Sequence, residues 1–217
     1  LQKFASERLR GMSASSVLID IESGEILSLV STPSYNPNNF VLGISQSNWD
    51  ALLNDDRKPL LNKATSGAYP PGSTFKMIVA AAALELGLIG LNDKIFCPGF
   101  YELGSRKFHC WLKGGHGKLT LQRAIQKSCD VYFYELARKV GIKRIGAMAR
   151  ILGLGQSYNL PLTGLSKGFV PTKKWKKERF GTSWLVGDTL NVGIGQGFSL
   201  ATPLQLAVMN ARLASGK

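Results

Sequence analysis

No apolar run in this sequence approaches the ~20 residues needed to cross a bilayer, so no segment of it reads as a membrane span. Acidic side chains are scarce, with 14 Asp and Glu against 27 Lys and Arg and a formal net charge of +13. There is no Cys-x-x-Cys knuckle, no internal repeat and no low-complexity segment. With 44% hydrophobic residues, disorder is excluded and the 217 residues suit one domain with a sizeable core. The excess of positive charge raises nucleic acid as a partner, yet no DNA- or RNA-binding signature accompanies it, and no nucleic acid is expected. The most basic run, Lys173-Lys174-Trp175-Lys176-Lys177-Glu178-Arg179, reads as a solvated face.

The most informative stretch is Ser73-Thr74-Phe75-Lys76, behind Pro70-Pro71-Gly72 and ahead of the apolar run from Met77 to Leu86. The Pro-Pro-Gly entry and the Ala, Met and Leu content predict a helix from Ser73 that closes at Gly87. Residues three apart share a helical face, so the Lys76 amine is expected to reach the Ser73 hydroxyl and accept its proton. The Ser73 N–H at the helix start suits an oxyanion. This is the pattern of a serine that forms a covalent ester. The same four letters also describe an ordinary surface helix.

Further along, Ser128-Cys129-Asp130 lies in a segment with helical apolar spacing through Leu121, Ile125, Val131, Tyr134 and Leu136. Ser128 and Asp130 are candidates for one cleft, Ser128 relaying a proton to a leaving amine and Asp130 holding substrate or lysine. Such a Ser-x-Asp is also a common turn or cap. Gln196, flanked by Gly195 and Gly197, is a candidate substrate contact, because glycines permit close backbone approach; a plain turn is the alternative. Lys118, Tyr69, Trp111 and Trp184 read as structural. Cys97, Cys110 and Cys129 are odd in number, and with His116 they form a possible Cys3His zinc set, with His109 as the competing fourth ligand. A Cys97–Cys110 disulfide with Cys129 buried and free is the other open arrangement. If Ser128 to Asp130 is helical or a tight turn, Cys129 points away from its two neighbours and anchors their loop from behind.

With these motifs the sequence resembles the penicillin-binding proteins, serine D,D-transpeptidases of cell-wall synthesis. Further likeness to the class B enzymes lies in Val17-Leu18-Ile19-Asp20, Ser23-Gly24-Glu25-Ile26-Leu27, Ser31-Thr32-Pro33-Ser34-Tyr35-Asn36-Pro37 and Tyr69-Pro70-Pro71-Gly72. Gly187-Asp188-Thr189, Gly193-Ile194-Gly195-Gln196-Gly197 and Ala201 to Leu206 follow in the order of the elongation-type enzymes called penicillin-binding protein 2. The resemblance runs from about Ser15 to the end. It departs in two places: Asp130 stands where many relatives carry Asn, and no Lys-Thr-Gly occurs, as though the chain were truncated before that strand.

The resemblance implies an α+β fold of the penicillin-binding protein and serine β-lactamase type: an antiparallel sheet covered by helices, plus a helical lobe. Residues 1–14 are expected to end a linker from a membrane-anchor or pedestal region, and residues 15–217 to form the transpeptidase domain without its last strands. It implies acyl transfer through Ser73, with Lys76 as base, on peptidoglycan stem peptides of a lipid-linked precursor, and acylation by β-lactams. It places the domain in the periplasm on the bacterial inner membrane, with a glycosyltransferase and elongation-complex membrane proteins as partners. No cofactor is expected for catalysis; a structural zinc is, in the cysteine region. The alternatives are a class D-like β-lactamase or penicillin sensor, and a non-catalytic fragment that binds partners.

The local patterns predict a helix tail over Leu1 to Leu9, a hairpin over Ser16 to Val30 and helices at Ser47 to Leu53, Ser73 to Leu86, Leu121 to Val140, Ile142 to Leu152 and Pro203 to Leu213. They leave Ser157 to Phe180 as an irregular basic crossing.

Overall fold

A computed structural model of the chain describes residues 1–216; Lys217, the last residue of the expected transpeptidase segment, lies outside them, as does the sheet expected beyond it. In chain order the elements begin with α1 (Gln2–Arg8), β1 (Ala14–Ile19), β2 (Ile26–Thr32), α2 (Gln46–Asn54) and α3 (Lys76–Glu85). Four short strands follow, β3 (Ile95–Cys97), β4 (Phe100–Leu103), β5 (Arg106–His109) and β6 (Gly117–Leu119). The remainder is helical: α4 (Leu121–Gln126), α5 (Asp130–Val140), α6 (Ile142–Ile151), α7 (Lys173–Phe180), α8 (Val186–Gly193) and α9 (Pro203–Ser215). They group into two compact units, one of Leu1–Tyr69, Gln156–Gly168 and the segment from Ala201, the other of Pro70–Gly155 and Phe169–Leu200.

The first unit is built on the antiparallel pair β1–β2. Its turn is closed by Asp20, whose carboxylate accepts the N–H groups of Ser23 and Glu22 at 2.8 and 2.9 Å. Those two donors hold the Asp20 carboxyl below its ordinary range. Along β2, Ser28, Val30 and Thr32 are buried and their neighbours less so, as a strand with one covered face requires. The helix expected over Leu1 to Leu9 is α1, which docks on β2: the Gln2 amide brackets Leu29, donating to its carbonyl at 2.8 Å and accepting its N–H at 2.7 Å. Helix α9 packs on β1. Its Thr202 and Gln205 form a capping box, and the buried Gln205 amide donates to the carbonyls of Gln156 and Lys167, fastening that segment.

The second unit carries the candidate site. Helix α3 is its axis, with Ile78, Val79, Ala82 and Ala83 shut off from solvent. Helices α5 and α6 pack on α3, and α8 packs on α5. The contact between α8 and α5 depends on Gly193, since a Cβ there would lie 2.4 Å from the Ala137 methyl. The strands form two antiparallel pairs, β3–β6 and β4–β5.

Three expectations need correction. The helix predicted from Ser73 begins as a 3-10 turn over Gly72–Phe75, and the α-helix starts at Lys76. The helix predicted over Leu121 to Val140 is two helices, broken at Ser128, whose φ is +49°. The crossing predicted as irregular ends in α7, which shows no apolar stripe because it buries a lysine, Lys176. The short strands and α8 escape notice in the sequence because three or four residues carry no readable period, and α8 opens on Val-Gly-Asp-Thr.

Because Gly193 has no space for a side chain, Gly193→Ala should destabilise the chain by about 1–3 kcal/mol, read as a lower urea midpoint with unchanged slope. An unchanged midpoint would show that α8 can move off α5 freely.

Candidate active site

The nucleophile candidate sits on a turn made tight by two glycines. Gly72 has φ +57° and donates its N–H to the Gly195 carbonyl at 2.9 Å. A Cβ on Gly195, itself at φ +72°, would fall 2.0 Å from the Gly72 carbonyl oxygen. The Thr74 hydroxyl locks the turn by donating to the Pro71 carbonyl at 2.6 Å. Ser73 is left exposed, while Lys76, one turn on, is 2% exposed.

A buried ammonium must be paired and hydrogen-bonded. Lys76 Nζ donates to Asp130 Oδ1 at 2.7 Å, to the Ser128 carbonyl at 2.8 Å and to Ser128 Oγ at 3.0 Å. Ser128 Oγ in turn donates to Ser73 Oγ at 2.7 Å. The four predicted residues therefore meet, but the order differs from expectation: Lys76 connects to Ser73 through Ser128. The Phe133 ring lies 5.7 Å from the ammonium.

Ser128 reaches this place through the helix break. Cys129 N–H bonds the Ala124 carbonyl and Ser128 N–H the Ile125 carbonyl, which is the Schellman closure of α4. In that closure the left-handed position normally holds glycine, and here it holds a serine, at a cost of about 1–2 kcal/mol. Asp130 then opens α5, where a carboxylate suits the helix N-terminus.

Trp111, which the sequence reading left as structural, completes the frame. Its backbone N–H binds Asp130 Oδ2 at 3.0 Å, and its indole N–H is shared by the carbonyls of Lys127 and Ser128 at 3.2 and 3.1 Å. The side chain is nonetheless 62% exposed. Its only signal in the sequence is adjacency to Cys110. Trp184 is structural as expected, its indole donating to the Thr189 hydroxyl.

Behind the break, the donor atoms of Cys97, Cys110, His116 and Cys129 lie within 4.8 Å of one another. His116 Nδ1 is 3.5 Å from the Cys110 sulfur and 3.7 Å from that of Cys97. Two glycines let the loops converge: a Cβ on Gly99 would meet the Lys113 carbonyl oxygen at 2.2 Å, and one on Gly115 the Cys97 carbonyl oxygen at 2.3 Å. All three thiols are free. Burial, with Lys127 adding, holds His116 below its ordinary range, the direction that favours the neutral imidazole. Burial likewise pushes the Cys129 thiol up. His116 Nε2 is buried without a partner. Three sulfurs and one imidazole nitrogen are a donor set for a tetrahedral ion, and the 3.5 and 3.7 Å sulfur–nitrogen separations match bonds of about 2.0–2.3 Å to a shared ion, which put donors under 4 Å apart. His109 takes no part; it is exposed, and its carbonyl accepts the Tyr134 hydroxyl.

Of the glycine-rich candidates, Gly195 spends its freedom on Gly72, and Gln196 is exposed, its N–H bonded to the Asn191 carbonyl at 3.0 Å.

Residues 14–217 match the family model described as the penicillin binding protein transpeptidase domain. The peptidoglycan D,D-transpeptidase MrdA of Escherichia coli K12 is 44% identical over 209 residues, which are 95% of this chain and 33% of that protein. The chain thus spans about a third of the length of the curated relatives it matches. Among solved structures, Pseudomonas aeruginosa PBP2 in complex with WCK 5153 is 41% identical with a TM-score of 0.94, covering 98% of this chain and 49% of that one. Helicobacter pylori PBP2 in its complex with MreC is 41% identical with a TM-score of 0.95, covering 99% and 41%. The α+β fold expected from the motifs is the fold of these neighbours, and the chain belongs to the penicillin-binding protein transpeptidase family.

Proposed function

We propose that this chain is the acylating part of a peptidoglycan D,D-transpeptidase of the cell-elongation type. The observation that carries the reading is the chain of hydrogen bonds from buried Lys76 through Ser128 Oγ to exposed Ser73 Oγ. In the reaction Ser73 Oγ attacks the carbonyl of the penultimate D-Ala of a stem peptide as Ser128 Oγ takes its proton and gives its own to Lys76, which enters the step as the neutral amine and leaves it as the ammonium. The tetrahedral intermediate collapses to a Ser73 ester as the same path returns the proton to the departing amine of the terminal D-Ala. An amine of a second strand then attacks the ester and frees Ser73. Asp130 and the Ser128 carbonyl hold the Lys76 head group throughout and stabilise the ammonium once it forms, and the Ser73 N–H at the start of its 3-10 turn suits the oxyanion. Gln196 borders the substrate path on its turn.

β-Lactams acylate the same serine on this reading. The domain works on the periplasmic side of the inner membrane, and since the H. pylori relative was solved with MreC, an elongation-complex protein is the proposed partner type. Cys97, Cys110, His116 and Cys129 would hold a zinc ion with a structural role. It would neutralise the thiolates and cross-link β3, the loop after β5 and the start of α5, fixing Cys129 between Ser128 and Asp130.

Benzylpenicillin should add its mass to the chain, mapped to Ser73 and absent from Ser73→Ala. Rapid turnover of a chromogenic cephalosporin would assign a β-lactamase instead, and a chain that stays unmodified would favour a non-catalytic binding module. Ser128→Gly should lower the acylation rate by roughly 10²–10⁴-fold, while stability changes by no more than about 1 kcal/mol, since relief of the left-handed serine offsets the entropy of glycine. A wild-type rate in that variant would remove Ser128 from the relay.

Metal analysis by native mass spectrometry should find one zinc ion per chain, and Cys129→Ser should lower both zinc occupancy and the thermal midpoint. A metal-free chain lighter by two hydrogens, with Cys97 linked to Cys110, would overturn the zinc assignment in favour of a disulfide.

A further inference from the structure

Lys176 is the one buried residue of α7, 8% exposed; beside it Trp175 is half-buried against Phe169 and Phe198, and the other residues of the helix are exposed. Its ammonium is 2.5 Å from Asp188 Oδ2 and 6.0 Å from the ring centroids of both Trp184 and Phe198. Asp188 Oδ2 also accepts the Leu185 N–H at 2.7 Å, fixing the first turn of α8. Trp184 lies just before α8, and Phe198 just after the Gly193–Gly197 turn, so one ammonium joins both ends of the segment 184–198. Between those ends Gly193 rests on α5, and the Gly195 carbonyl accepts the Gly72 N–H next to Ser73. The segment is a loop whose stem closes on Lys176 and whose tip braces the nucleophile turn.

Aromatic packing alone would close such a stem, but rings slide over one another at little cost. A buried ion pair is expensive to form and adds what packing lacks, a fixed donor–acceptor register. We propose that Lys176 and Asp188 are positioning residues for acyl transfer: their pair sets where the Gly195 carbonyl meets Gly72 and hence where Ser73 Oγ stands relative to Ser128. The proposal rests on the acyl-transfer reading and extends it to residues remote from the reacting atoms.

The test compares the parent chain with Lys176→Met, Asp188→Asn, Lys176→Arg and the double variant Lys176→Met/Asp188→Leu. Benzylpenicillin acylation rates and amide exchange of residues 70–74 and 193–197 are measured at a temperature where circular dichroism shows every protein folded. Each single neutralising variant should acylate roughly 10- to 100-fold more slowly and exchange faster in both segments, with Lys176→Arg recovering most of the rate. The double variant, which leaves no unpaired charge, should regain thermal midpoint without regaining rate. The proposal is overturned if the single variants lose thermal midpoint yet keep parental acylation and exchange, or if the double variant recovers both midpoint and rate. Should the parent itself resist acylation, the acyl-transfer reading fails by itself, and unchanged exchange at residues 70–74 in the variants would then sink the positioning role separately.

Discussion

The burial of one ammonium organises the second unit. Moving a lysine head group out of water costs several kcal/mol unless acceptors replace its hydration. Lys76, at the start of the central helix, finds a carboxylate, a carbonyl and a hydroxyl. Two of the three come from Ser128, and no uninterrupted helix could present a residue's backbone carbonyl sideways to a neighbouring lysine, because that carbonyl would be bonded four residues on. The separation of α4 from α5 is therefore a requirement of the lysine, and the left-handed serine at the break follows from it.

A strained serine must be over-determined by its surroundings. On one side Trp111 grips the carbonyls of Lys127 and Ser128 with its indole and Asp130 with its backbone. On the other, Cys129 turns back into the sulfur and imidazole cluster, which is drawn together by the close backbone approaches at Gly99 and Gly115. Alternate residues thus face opposite ways, Ser128 and Asp130 toward Lys76 and Cys129 toward the cluster. The 3-10 turn before Lys76 receives the same treatment from Gly195. Each reacting group is held by backbone that has little freedom left.

What was legible in the sequence was what depends on spacing within a few residues. Ser73 and Lys76, Ser128 and Asp130, the β1–β2 hairpin, and the opposed direction of Cys129 are all local. The break at Ser128 was not, because apolar spacing continues on both sides of it and the signal expected at a left-handed helix stop is glycine. Trp111 was passed over since it acts partly through its backbone N–H, which every non-proline residue owns. Helix α7 was hidden by chemistry: Lys176 is its buried anchor, and a buried lysine looks like a solvated one until Asp188, twelve residues away, is seen opposite it. The relay order was misjudged for a related reason, since shared helical face says that Lys76 and Ser73 are near but not what stands between them.

The way Lys76 is satisfied also separates folding from chemistry. Two of its acceptors, the Ser128 carbonyl and Asp130, hold it without help from the Ser128 hydroxyl. That hydroxyl can pass a proton between Ser73 on one side and the Lys76 amine on the other while the lysine head group keeps its other two partners. Had the hydroxyl been the main support of the ammonium, every transfer along the chain would have exposed an unpaired charge in a dry site, adding desolvation to the barrier. A backbone carbonyl cannot be titrated and cannot rotate away, so the cost of burying the lysine is met by a group that takes no part in the reaction, and the serine beside it is free to conduct.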